Sequence, residues 1–231
     1  MSQKGKFVEL PEEIKLKVEA IKSEWVTSLN DRTLVWGKKI QQIRRAEQPG
    51  LEWGEPITHV NFPWWDLLVA GPFQFPNAVL GPYKPSKIIA DEELAVMIVA
   101  LWRNPAAGNV GVPPATLMGG QPYTLNFEMM NITTVSNVIY PQITGVFTPF
   151  PSSFIDVHII AFTPTSPSGE GHPDIYEMNV TCDLTGPGKL PMAAFASWVY
   201  DPDTEPAFLF LPGMPAGLRH ERPIRFMVYT R

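Results

Sequence analysis

The chain has 231 residues, 45% of them hydrophobic and 18% charged, with 25 prolines, 17 glycines, one cysteine and a formal net charge of −5. That is enough apolar material for a real core and too little charge for a disordered chain, and proline and glycine stay below low-complexity levels. Cys182 is the sole cysteine, so a disulfide scaffold is excluded.

The first fifty residues read as helix. Pro11 suits a first helical position, and Glu12 and Glu13 favour the positive end of the helix dipole. Ile14, Val18, Ile21, Trp25, Leu29, Trp36, Ile40 and Ile43 then recur at spacings of three, four and once seven, a single apolar stripe near period 3.6. Pro49 and Gly50 stop it. Asn30 and Asp31 leave open a break into a hairpin, but one long helix is the better reading. At 1.5 Å per residue, about 35 residues reach roughly 50 Å, more than a small sandwich is wide. Part of the stripe therefore needs another surface, and a second subunit or a protein partner is expected.

Residues 51–90 form a connector rich in proline and aromatics, including Pro56, Pro63, Pro72, Trp53, Trp64, Trp65 and Phe73. Proline withholds the N–H that a central strand needs, so this stretch is expected to wrap the body, with a short strand near Leu67–Ala70. Within it Trp64, Trp65 and Asp66 are the best binding feature. Adjacent tryptophans in extended chain point to opposite sides, so one can enter the core while the other meets a ligand or partner.

From residue 91 the period changes to two. Strands are expected at Glu92–Arg103, Tyr123–Ile132, Val138–Phe147, Phe154–Thr163, Ile175–Asp183, Ala193–Tyr200, Phe208–Leu211 and Ile224–Thr230, with no helix-length segment between them. The fold class that follows is mainly β: an antiparallel β-sandwich, immunoglobulin-like or jelly-roll, over 91–231, with the long N-terminal amphipathic helix added.

Charge is unevenly spread. Residues 1–50 carry ten Lys/Arg against seven Asp/Glu, and the remainder eight against sixteen. The acidic body lacks the clustered cations that displace counterions from a duplex, so nucleic acid is disfavoured. The longest apolar run, Leu94–Trp102, is nine residues against the roughly 18 needed to span a bilayer, and no signal-type apolar region follows the first residues. A cytoplasmic, non-transmembrane protein is expected.

No catalytic motif stands out. There is no Gly-x-Ser-x-Gly elbow and no phosphate loop ending in Gly-Lys-Ser/Thr. Cys182 falls on the buried phase of its strand, where free cysteine acts as a small hydrophobe. The concrete chemical option is a cation. Asp156 and His158, two apart, are expected on the outer face of one strand, and Glu177 on the outer face of the next. If those strands form a hairpin, cross-strand neighbours about 4.5–5.5 Å apart would let Asp156, His158 and Glu177 converge on a divalent metal or polar ligand. No cofactor is otherwise expected. The three carboxylates of Asp201, Asp203 and Glu205 are a weaker oxygen cluster.

The leading expectation is a non-enzymatic binding or structural module that oligomerises or docks a partner through its helix and aromatic connector. Two alternatives remain: a metal- or acid/base-assisted lyase, isomerase or hydrolase on a small ligand, and a virion or particle component.

Overall fold

A computed structural model describes residues 3–47, 65–76, 85–103, 118–149, 152–185, 191–198 and 223–230, the side chains of residue 28 and of 32–47 excepted within the helix. One helix and two facing sheets make up the described chain, the sandwich and N-terminal helix that the sequence implies. Among the expected strands, Phe208–Leu211 lies outside the described residues.

The first sheet, sheet A, has the order β1 (Gln3–Lys4), β6 (Ser136–Ile139), β5 (Pro122–Asn131), β9 (Asp174–Thr185), β12 (Ile224–Tyr229) and β3 (Ile88–Ala90). Two more strands join it: β7 (Ile143–Val146) runs along β5, and β10 (Pro191–Phe195) along β9. β6 and β7 pair with successive halves of β5 and amount to one interrupted strand. Sheet B has the order β11 (Ser197–Trp198), β2 (Trp65–Gln74), β4 (Ala95–Arg103) and β8 (Ile155–Phe162). The long ladders are antiparallel, whereas the short edge pairs β1–β6, β11–β2 and β12–β3 are parallel.

Proline hid β2. This ten-residue strand contains Pro72 and still lies between β11 and β4. Its ladder shifts register between Ala70 and Phe73, so the missing N–H falls inside a bulge, where it costs no pairing. Gly71 takes φ 126°, a conformation glycine adopts freely. The connector thus supplies the sandwich with two strands, β2 and β3, instead of only wrapping it.

Between the sheets lies the main core. Leu125, Phe127 and Met129 of β5 and Tyr176, Met178, Val180 and Cys182 of β9 face Leu67, Val69, Met97, Val99, Ile160 and Phe162 of sheet B. The helix α1 (Glu12–Glu47) is continuous through Asn30 and Gly37. It lies on the outer face of sheet B. Val18 groups with Phe73, Val96, Ile98 and Ala161, and Leu29 with Leu68, Ala100, Trp102 and Ile155, so α1 runs along β4 in the same direction. Sheet B is consequently buried on both faces, and all nine residues of β4 are buried.

The N-terminal strap closes one open side of the sandwich. β1 pairs with β6, the Gly5 N–H donates to Ile139 O at 2.8 Å, and the Val8 N–H donates to Ala161 O of sheet B at 2.8 Å. Phe7 enters between the layers, stacked on Tyr140 with centroids 5.0 Å apart and edge-on to Phe127 at 5.3 Å.

Side chains cap the strand edges. Ser86 Oγ accepts from Ile88 N–H and donates to Ile88 O, and Gln74 does the same for Ala90 through its amide. At the start of β8, Ser153 Oγ holds both backbone groups of Ile155. Each bond fills a position where a neighbouring strand would otherwise pair.

Candidate functional site

The phase of β8 places the expected residues differently from the sequence reading. Ile155, Val157, Ile159 and Ala161 pack beneath the helix, while Ile160 and Phe162 enter the inter-sheet core. Asp156 and His158 share the phase of Ile160 and Phe162, so they point into the sandwich rather than out of it. β8 and β9 do not form a hairpin: β8 pairs with β4 in sheet B, and β9 with β5, β10 and β12 in sheet A. Glu177 therefore stands on the far face of the other sheet, where its Oε2 accepts from Arg225 Nε at 3.2 Å. The arrangement that was to bring Asp156, His158 and Glu177 together is absent. Among the described residues no three His, Cys, Asp or Glu side chains gather in a way that could hold a metal ion.

Asp156 has partners of its own. Arg103 ends β4 in the inward phase of Val99 and Leu101, and its fully buried guanidinium lies 3.1 Å from Asp156 Oδ2. Arg103 also donates to Thr148 O at 2.7 Å and Ser153 O at 2.9 Å, and sits over the Phe147 ring at 5.0 Å. The other carboxylate oxygen of Asp156 accepts from the N–H and hydroxyl of Thr148. Desolvation pulls the Arg103 pKa down from its usual value, and Asp156 opposes the shift. The planar guanidinium holds its donors in a fixed fork that serves several acceptors at once, a geometry lysine lacks. The pair ties the chain before β8 to the end of β4, which is a structural task.

His158 faces Tyr123 of β5 across the sandwich, with Nε2 2.7 Å from Oη. Burial lowers the His158 pKa, partly opposed by Asp156. Burial also pushes the Tyr123 phenol up to about 12, with smaller pushes from Asp156 and Cys182 and an opposing one from Arg103. A phenol held protonated and a neutral imidazole fit a bond donated by Tyr123. Gly145 makes the position possible, because a Cβ there would collide with the Tyr123 ring. Phe147 flanks the same ring at 4.8 Å. Sequence reading singled out neither Tyr123 nor Arg103 as a site residue. For Arg103 the available signal was its phase, since a charged residue in step with Val99 and Leu101 must find an inward acid.

Trp65 enters the inter-sheet core. Trp64 and the side chain of Asp66 lie outside the described residues, as do Asp201, Asp203 and Glu205. Cys182 is buried, and burial, with Asp183 adding to it, pushes its thiol up to about 12, as suits a core residue rather than a nucleophile. The outer face of sheet A carries the polar ladder expected of it, with Asn126 donating to Asp183 at 2.8 Å and Gln142 donating to Asn126 at 2.6 Å.

No protein-family model matches the chain, and no curated protein matches it. Among solved structures, one that is similar is the CARDB domain of a protein from Pyrococcus furiosus, crystallised in complex with di-metal ions. It is 14% identical, the match covers 64% of this chain and 95% of that one, and the TM-score is 0.33. A likeness this distant carries no argument, and the architecture here rests on the strand pairings themselves. Among the described residues no helix is long and apolar enough to cross a membrane.

Proposed function

We propose that this protein is a non-enzymatic binding or structural module that oligomerises through the C-terminal half of its helix. The supporting observation is a mismatch of lengths. α1 has 36 residues, about 54 Å at 1.5 Å per residue. Among its described side chains, packing on sheet B extends from Ile14 to Leu29. Leu29 already lies with Trp102 and Ile155, near the end of β4 and the start of β8. Residues 30–47 continue as helix for about 27 Å more. Trp36, Ile40 and Ile43 carry the apolar stripe along that half in the sequence. A stripe of this kind favours a second helix or a partner groove.

Of the aromatic connector, Trp65 is committed to the core and is not free to meet a partner. The enzymatic alternative gains no support from Asp156, His158 and Glu177, which belong to two different sheets. The test is light scattering of the full chain beside a triple variant, W36E/I40E/I43E, which leaves the Ile14–Leu29 contacts intact. The wild type is expected as an oligomer and the variant as a folded monomer. A wild-type monomer, or an oligomer that the three substitutions leave unchanged, would overturn the proposal.

A further inference from the structure

Most of the open face of sheet A is polar, as Asn126, Glu128, Asn179, Thr181 and Asp183 on β5 and β9 show. One end of that face is not. Met227 of β12 stands between Ile88 of β3 and Ile175 of β9, and the Ile132 N–H, one residue past β5, donates to Ile175 O at 2.8 Å. The next residues along these strands, Ile89, Val228, Tyr176 and Asn131, are buried, so the four apolar ones share the outer face. Ile88, Ile132 and Ile175 are exposed. Together they make an apolar row across four strands, three strand spacings or about 14 Å long. The Glu177–Arg225 pair borders it.

We infer that this row seats the far half of the helix of a second copy, with the stripe Trp36, Ile40 and Ile43 lying across Ile88, Met227, Ile175 and Ile132. The inference rests on the helix-mediated assembly proposed above and names the surface that the helix meets. Three observations favour it. The lengths agree, since Trp36 to Ile43 covers about 10 Å at 1.5 Å per residue. The charges agree as well. Residues 30–47 carry Arg32, Lys38, Lys39, Arg44 and Arg45 against Asp31 and Glu47, whereas the outward side chains of β5, β9 and β12 include Glu128, Glu177 and Asp183 against Arg225. Opposite charge favours helix on sheet, and two such basic helices side by side would repel. Reach excludes the same chain. α1 is seated on the outer face of sheet B, runs unbroken to Glu47 with no internal proline to turn it, and has both layers of the sandwich between it and the outer face of sheet A. The two surfaces therefore meet between copies.

Light scattering compares the full chain with I132K/I175K, which puts two cations into the row at exposed positions. Val146→Lys, also exposed but at the opposite end of β5, is the control. I132K/I175K is expected as a folded monomer, like W36E/I40E/I43E, and Val146→Lys as an oligomer like the wild type. Cross-linking reads the contact directly. Cys182 is buried, so Ile40→Cys and Ile175→Cys chains, mixed, oxidised and analysed by mass spectrometry, are expected to yield a disulfide between the two kinds of chain. An I132K/I175K oligomer beside a W36E/I40E/I43E monomer, or Ile40→Cys chains that link only to each other, refutes the seat on sheet A and leaves the helix-mediated assembly standing. A wild-type monomer removes both. The cross-link decides the matter even if I132K/I175K does not fold.

Discussion

Sheet A and sheet B answer the same chain chemistry in different ways. In sheet A, β5 alternates strictly between buried and half-buried or exposed residues, because one face meets the core and the other meets water. In sheet B, β4 has no exposed residue at all, because the helix takes the side that water takes in sheet A. Period two is a sign of inequality between faces. Where a helix removes the inequality, the more apolar phase of a strand no longer marks the interior of the sandwich. In β8 it marks the side beneath the helix, and the polar phase, with Asp156 and His158, becomes the inner one.

The strongest way to break this comparison is to remove a charge from each sheet. Asp156→Ala leaves Arg103 buried without its carboxylate and is expected to cost about 4 kcal/mol. Glu177→Ala on the open face of sheet A, where Arg225 is more than half exposed, is expected to cost under about 1 kcal/mol. Urea denaturation of both variants measures the contrast, and similar losses would mean that Asp156 is solvated after all.

The next effect concerns the cover itself. Leu29→Ala opens a cavity over Leu68, Ala100 and Trp102 and is expected to cost about 3 kcal/mol. Leu16→Ala on the same helix, 73% exposed, is expected to change stability by under about 0.5 kcal/mol. Equal effects in thermal melts would show that the helix does not rest on sheet B by the Leu29 face.

The smallest effect sharpens the comparison at the one described place where sheet A hides a carboxylate. Asp174 opens β9 fully buried, and accepts from Asn131, Ser166 and twice from Ser168. Burial opposes its ionisation, but the hydrogen bonds from Asn131, Ser168 and Ser166 outweigh it and hold the pKa below the usual carboxylate value. A depressed folded pKa stabilises at pH above the unfolded value, about 3.9, and that contribution is lost as pH falls through the folded value. Asp174→Asn is therefore expected to cost about 2 kcal/mol at pH 7 and to flatten the acid loss below about pH 4. Unfolding free energies measured from pH 7 to pH 2 test both parts, and parallel curves for the two proteins would contradict the second.

Much of the fold was legible because its signals are local. The helix stripe from Ile14 to Leu29 and the alternation of Tyr123–Ile132 and Ile175–Asp183 each follow from one element meeting one apolar surface. What was not legible depends on distant segments. Pro72 argues against a central strand until the bulge between Ala70 and Phe73 is known. Ala193–Tyr200 reads as one strand, yet the chain leaves sheet A after Phe195 and joins sheet B at Ser197. The stripe on the helix says that a surface is needed, but not that β4 and β8 of the same chain supply it. The partners of Asp156 followed the same pattern: Thr148 is near in sequence, whereas Arg103 arrives only through the β4–β8 register.

The capped edges have a bearing on how this protein behaves when crowded. Amyloid-like filaments grow when a bare strand templates the next molecule, and the backbone groups of Ile88, Ala90 and Ile155 are already satisfied by Ser86, Gln74 and Ser153. At β3 and at the start of β8, a would-be fibre has to strip off those serine and glutamine bonds before it can add a rung.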